Sequence, residues 1–228
     1  MSTSFPPPPQ SCGSGKDFIR RRLDREKPGE QRYKDHADYG YTSTGHELLH
    51  ALALISGRVL YGEKMKERKF IKLPPEKAPQ MFDLVLERMK WMDEKGIEQW
   101  NVMGYDEVYP LSYYEQKCSE GRAFALENKD GAILCAAVLL ENDSRWSDDA
   151  PAIYVHNLVS KVGAGDAGAE FLRRAEEYAL SINKEYLRLD SSENNEPLAK
   201  YYENLGFVPV GTCTDGPYKG IRREKKLK

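Results

Sequence analysis

The spacing of apolar positions changes period along this chain, and each change marks an element. Over residues 45–66, Leu48, Leu52, Ile55 and Val59 recur at intervals of three and four, which predicts a helix. A short apolar run at 70–73 reads as a strand, stopped by Pro74 and Pro75. Over 77–95, Met81, Val85, Met89 and Met92 make one stripe that Phe82 and Leu86 widen, so a second helix is expected, with Gly96 closing it. A third helix is expected over 106–120, closed by Gly121. The period then shortens. Residues 122–128 and 132–141 read as two strands joined by the turn Lys129-Asp130-Gly131. Further strands are expected at 152–160, 185–190, 208–213 and 218–223, and helices at 168–182 and 195–205. That order, with no internal repeat, predicts an α/β domain built on a mixed sheet.

Residues 1–44 fall outside this pattern. They open with Pro6–Pro9 and Gly13-Ser14-Gly15, continue into a mixed-charge run, and hold few large apolar side chains, so a disordered tail is expected. Pro6–Pro9 could also serve as a polyproline ligand. The division is therefore 1–44 tail, 45–69 appended helix and 70–228 α/β domain. The 228 residues carry a formal charge of -2, from 34 Lys+Arg against 36 Asp+Glu, which gives no bulk attraction to nucleic acid or to an anionic membrane. No apolar run is long enough for a membrane span, and the first 30 residues lack the apolar core of a secretory signal. Cys12, Cys118, Cys135 and Cys213 are scattered without metal-binding spacing and read as free thiols, so a cytoplasmic location is expected.

Three stretches compete for the chemistry. His46-Glu47-Leu48-Leu49-His50 matches the zinc-helix pattern H-E-x-x-H, which needs a third ligand; neither His36 nor His156 stands at a recognised spacing, and no metal is expected. Gly163-Ala164-Gly165-Asp166-Ala167-Gly168 follows a strand and opens a helix, so its backbone N–H groups are placed to receive a phosphate. Asp190 stands where a dinucleotide-binding fold puts its ribose-binding acid, but only 38 residues follow it, too few for a second nucleotide half. The third stretch is Leu187-Arg188-Leu189-Asp190 followed by Asn195-x-x-Leu198-x-x-x-Tyr202-x-x-x-Gly206-Phe207.

That third stretch resembles the last block of the GNAT superfamily of N-acetyltransferases, and residues 152–172 resemble its cofactor block of strand, phosphate turn and helix. Trp91-Met92 and Lys95-Gly96-Ile97-x-Gln99-Trp100 are similar to a group of GNAT-like proteins. The resemblance covers roughly residues 70–228. It implies a mixed central sheet flanked by helices, in which two parallel strands splay apart into a wedge for acetyl-CoA. The backbone around Leu158 and Val159 would pair with the pantetheine arm. The pyrophosphate would rest on N–H groups of the turn Gly163, Ala164, Gly165, Asp166, Ala167 and Gly168. Gly163 stands where the family has a long polar side chain. Asp166 stands where it has glycine, so its carboxylate is expected to point away, capping the helix. Tyr202 falls on the tyrosine that protonates the departing thiolate, and Asn195 on an asparagine near the pantetheine.

The general base is not set by the motif. His156 lies on the strand at 152–160, where strict alternation would put Tyr154, His156 and Leu158 on one face; Glu141 and Asp143 are rivals. Trp100, Tyr105 and Trp146 are candidates for lining the acceptor pocket. The implied activity is transfer of an acetyl group to a primary amine on a small molecule or peptide, in a chain that could form a homodimer. The other reading is a GNAT-fold module that binds CoA or a partner without catalysis.

Overall fold

Proline, glycine and side-chain burial set the elements of the computed structural model, which describes residues 68–228. The expected tail, the helix at 45–66 and the H-E-x-x-H motif lie outside those residues. Strand β1 (Lys69–Lys72) ends before Pro74, and helix α1 (Ala78–Lys95) follows a 3-10 turn over Pro75–Lys77. Helix α1 buries Ala78, Met81, Leu84, Val85 and Met92, and stops at Gly96, whose φ of 65° takes the left-handed form that favours glycine. The single helix expected at 106–120 is two: α2 (Tyr105–Val108) and α3 (Leu111–Ser119). Pro110 causes the break. It lacks an N–H and forces Tyr109 out of helical geometry, to φ -122° and ψ 72°.

Strands β2 (Ala123–Glu127), β3 (Ile133–Leu140) and β4 (Ala152–Ser160) form an antiparallel run. Helix α4 (Ala167–Ser181), strand β5 (Tyr186–Ser192), helix α5 (Glu196–Asn204) and strands β6 (Val208–Asp215) and β7 (Tyr218–Lys226) complete the domain. The seven strands lie in the order β1-β2-β3-β4-β5-β7-β6, and β4 with β5 is the parallel pair. One apolar layer, around Phe171, Leu172, Tyr202 and Phe207, lies beneath α4 and α5. The other, around Met81, Val85 and Tyr114, lies beneath α1 and α3.

Two irregularities position the site. The β4–β5 ladder holds for three pairs, Ala152–Tyr186, Ile153–Leu187 and Tyr154–Arg188, and then stops although both strands continue. Beyond it the β5-facing edge of β4 has no partner strand among the described residues. The β3–β4 register also slips by one residue between Val138–His156 and Ala136–Val159. The extra residue is accommodated at Asn157, whose φ is 53°. This bulge overturns the expected alternation. Ile153 and Val155 face the α4 layer, and after the bulge Leu158 joins that same layer while Val159 joins the opposite one.

Candidate functional site

The wedge between β4 and β5 leads to the turn before α4. Its geometry follows from the glycines: Gly163 has φ 86°, and a Cβ on Gly168 would come within 2.9 Å of Tyr201 Oη and 3.1 Å of Ser160 Oγ. Within the turn, Ala164 N–H donates to Lys161 O (3.1 Å) and Ala167 N–H to Ala164 O (3.0 Å), so these two groups are used internally. The N–H groups of Gly165, Gly168 and Ala169 have no acceptor among the described residues. They stand at the positive end of a 15-residue helix, which is the donor set an anion needs. The free donors are thus fewer than the continuous run read from the sequence, and Ala169 is added.

Asp166 does not cap α4 with its side chain. It pairs instead with Arg68 (3.0 Å), which also holds Glu170 Oε2 at 2.8 Å. A cavity of about 360 Å³ beside the turn is lined by Arg68, Asn128, Lys129, Asp130, Leu134 and the segment from Gly163 to Asp166. At the end of β4, Arg88 Nη2 donates to Ser160 O at 2.5 Å. Neither arginine was marked by any motif; both reach the wedge from chain that precedes the matching blocks.

Helix α5 carries Asn195 and two tyrosines, of which Tyr201 reaches the turn. Asn195 Oδ1 accepts from Leu198 N–H (2.9 Å) and so caps the helix. Tyr201 lies toward Gly168 and Ser160, while Tyr202 is buried against Phe207 at 5.8 Å between ring centres. Burial pushes the Tyr202 phenol well above the usual tyrosine range, with Tyr201, Asp190 and Cys135 adding to the rise and Arg223 opposing it. The Tyr202 hydroxyl has no hydrogen-bond partner among the described residues, so its O–H is uncommitted.

A second cavity, of about 680 Å³, opens beside His156, between the β3–β4 loop and strands β6 and β7. Tyr109, Tyr113, Asp143, Arg145, Cys213 and Arg222 are among its walls. His156 Nε2 lies 3.0 Å from Asp143 Oδ2, and Arg145 bridges Asp143 (3.1 Å) and Asp190 (2.9 Å). The Arg145 Nη2 atom sits 3.0 Å from His156 Nδ1 and 3.1 Å from Nε2, so it is in line with neither ring lone pair. Burial opposes ionisation of Asp143, but the hydrogen bonds from His156 and Arg145 outweigh it and hold the carboxyl far below its ordinary range. Asp143 is therefore a fixed carboxylate at neutral pH. Glu141 is taken up by Lys184 at 2.7 Å.

Trp100, Tyr105 and Trp146 are not among the walls of this cavity. Trp100 stacks on Tyr105 at 4.4 Å, and the Tyr105 hydroxyl accepts from Asn157 Nδ2 at 2.6 Å. Trp146 packs beneath Arg188 (4.3 Å) and Arg222 (5.2 Å). Tyr109 and Tyr113, which line the cavity, fall within the stretch expected as a single helix over 106–120. Among the described residues no group of three His, Cys, Asp or Glu side chains comes together to hold a metal ion, and no helix is long and apolar enough to cross a membrane.

No family model matches the chain. It is similar to the uncharacterized N-acetyltransferase YesJ of Bacillus subtilis (strain 168), 26% identical over 151 residues, covering 62% of this chain and 82% of that one. Among solved structures it is similar to a GNAT-family acetyltransferase from Listeria monocytogenes 4b F2365 (22% identity, TM-score 0.58, 70% of this chain and 94% of that one). It is also similar to the PaiA N-acetyltransferase of Thermoplasma acidophilum, solved with coenzyme A (17% identity, TM-score 0.56, 70% of this chain and 98% of that one). The likeness to these structures shows the fold: residues 68–228, with their mixed sheet and its one parallel pair, have the GNAT acetyltransferase fold.

Proposed function

We propose that this chain is an acetyl-CoA-dependent N-acetyltransferase acting on a primary amine. The observation that carries it is the coincidence of a three-pair β4–β5 ladder, which leaves the β4 edge open, with uncommitted N–H groups at Gly165, Gly168 and Ala169 directly beyond. An extended arm ending in phosphates fits that edge and those donors. Acetyl-CoA supplies the acyl group already activated as a thioester. The β4 backbone at Leu158 and Val159 orients the arm, and Asn195 and Tyr202 close over it from α5. Tyr202, protonated across the working range because burial raises its phenol, donates its proton to the departing thiolate.

The amine enters by the cavity at His156. Asp143 holds Nε2, and His156 takes the amine's proton at Nδ1, from which Arg145 Nη2, 3.0 Å away, moves aside. Tyr109 and Tyr113 supply aromatic faces that suit a cationic acceptor. A reducing compartment is part of this reading, supported by three free thiols at Cys118, Cys135 and Cys213. So is a homodimer, supported by the outer strand β6 with its exposed Val208 and Val210.

The test is calorimetric titration of the chain with acetyl-CoA, with NAD as control, followed by an amine panel scored by thiol release. Micromolar acetyl-CoA binding without NAD binding, and acceptor-dependent thiol release, is the expected result. Binding without release for any amine class (small amine, aminoglycoside, peptide N-terminus, lysine side chain) would favour the non-catalytic module.

A further inference from the structure

The turn that receives the phosphates carries a negative charge of its own. Asp166 is the last residue before α4, and Glu170 lies in the first turn of that helix. Two carboxylates at this helix end favour the N-terminal dipole but oppose a second anion placed on the same N–H groups. One arginine reaches both carboxylates. Arg68, from the approach to β1, runs 98 residues away in sequence to Asp166 and 102 to Glu170. Its side chain is 7% exposed and that of Glu170 is 0% exposed, while Asp166 is 31% exposed on the cavity side. The Arg68 fork takes one oxygen from each carboxylate, which turns Asp166 sideways and leaves its oxygens off the Gly165, Gly168 and Ala169 donors.

We propose that Arg68 is a positioning residue for the donor cofactor: it offsets part of the Asp166 charge and draws that carboxylate out of the phosphate path, so that a turn with an acid in place of glycine still accepts a pyrophosphate. This rests on the reading of the turn as the acetyl-CoA phosphate site. The device is a charge clamp, and its two halves are separable by mutation. Removing Arg68 takes a positive charge from beside Asp166 and the phosphates. Removing Asp166 frees part of a positive one.

The experiment measures CoA and phosphate-free pantetheine binding to the full chain by calorimetry at two salt concentrations, for the wild type, Arg68→Met, Arg68→Lys, Asp166→Asn and the double variant Arg68→Met/Asp166→Asn. Arg68→Met is expected to weaken CoA roughly tenfold at low salt, less at high salt, with pantetheine unchanged. Arg68→Lys should keep most of the affinity, and the double variant should return it to within about threefold of wild type. Asp166→Asn alone should tighten CoA by roughly threefold or more. That variant decides the matter if loss of Arg68 unfolds the chain through the buried Glu170. Equal loss of CoA and pantetheine in Arg68→Met, no recovery in the double variant, or an Asp166→Asn protein that binds CoA no better than wild type would each overturn the clamp. A wild-type chain that binds no CoA would instead overturn the donor reading, and the clamp with it.

Discussion

Replacing Asn157 tests the bulge that opens the wedge. Asn157 has a backbone φ of 53°, a region asparagine tolerates and alanine avoids at a cost of about 1 kcal/mol. Its side chain is also a cross-brace: Nδ2 donates to Tyr105 Oη at 2.6 Å, and Oδ1 accepts from Tyr113 Oη at 3.3 Å. The residue is 7% exposed, so water does not readily replace these bonds. Losing the shorter bond leaves a buried phenol without its donor, worth about 2 kcal/mol, and the longer bond adds little. Asn157→Ala carries both penalties and should destabilise the chain by roughly 3 kcal/mol. Asn157→Gly keeps the backbone free and carries the hydrogen-bond loss, roughly 2 kcal/mol. Urea unfolding followed by tryptophan fluorescence gives the ordering as a shift in midpoint at constant slope. In a Tyr105→Phe background the Asn157→Ala cost should shrink by about 2 kcal/mol, to the backbone part alone, because the two residues share one bond. Equal midpoints for the alanine and glycine variants would refute the backbone argument, and an unchanged cost in the Tyr105→Phe background would refute the brace.

Tyr202→Phe should lower kcat about a hundredfold while CoA affinity moves less than threefold; an unchanged kcat removes Tyr202 from proton transfer. Asp143 has its folded pKa depressed, so the stability it contributes is present above the unfolded value of about 3.9 and lost as pH falls through the folded one. Melting temperature should therefore drop more steeply from pH 5 to pH 2.5 in the wild type than in Asp143→Asn, and parallel curves would contradict the ion-pair assignment. Gly168→Ala puts a methyl 2.9 Å from Tyr201 Oη, so CoA binding should weaken about tenfold as Tyr201 is pushed into the wedge, and Tyr201→Phe in the same chain should restore much of it.

The elements that periodicity can mark were readable from the chain. Strand β4 runs over 152–160 as expected, and α1, α4 and α5 fall within one residue of their expected ends, because each carries a stripe or run with a proline or glycine beside it. The break at Pro110 was legible in principle, since a proline four residues into a helical pattern removes a backbone bond whatever the stripe suggests. What periodicity cannot carry is pairing. Nothing local says that β7 enters between β5 and β6, or that β4 gains a residue at Asn157. The site divides the same way. Tyr202, Asn195 and the glycine turn sit in short contiguous motifs. Arg68 and Tyr109 belong to the proposed site only through a contact 98 positions away or through a cavity that forms when the sheet closes, and Asp143, a candidate base from its place after β3, meets His156 13 positions on.

The three residue pairs between β4 and β5 have a mechanical meaning. Every other neighbouring pair of strands in the sheet is joined by a longer ladder, up to the seven pairs between β5 and β7. Under tension the rupture should start at Ala152–Tyr186, Ile153–Leu187 and Tyr154–Arg188 and part β1–β4 from β5–β7–β6, with α4 as the tether across the gap. A ligand lodged along β4 would then act as a rivet, and the force needed to open the sheet would rise with its occupancy.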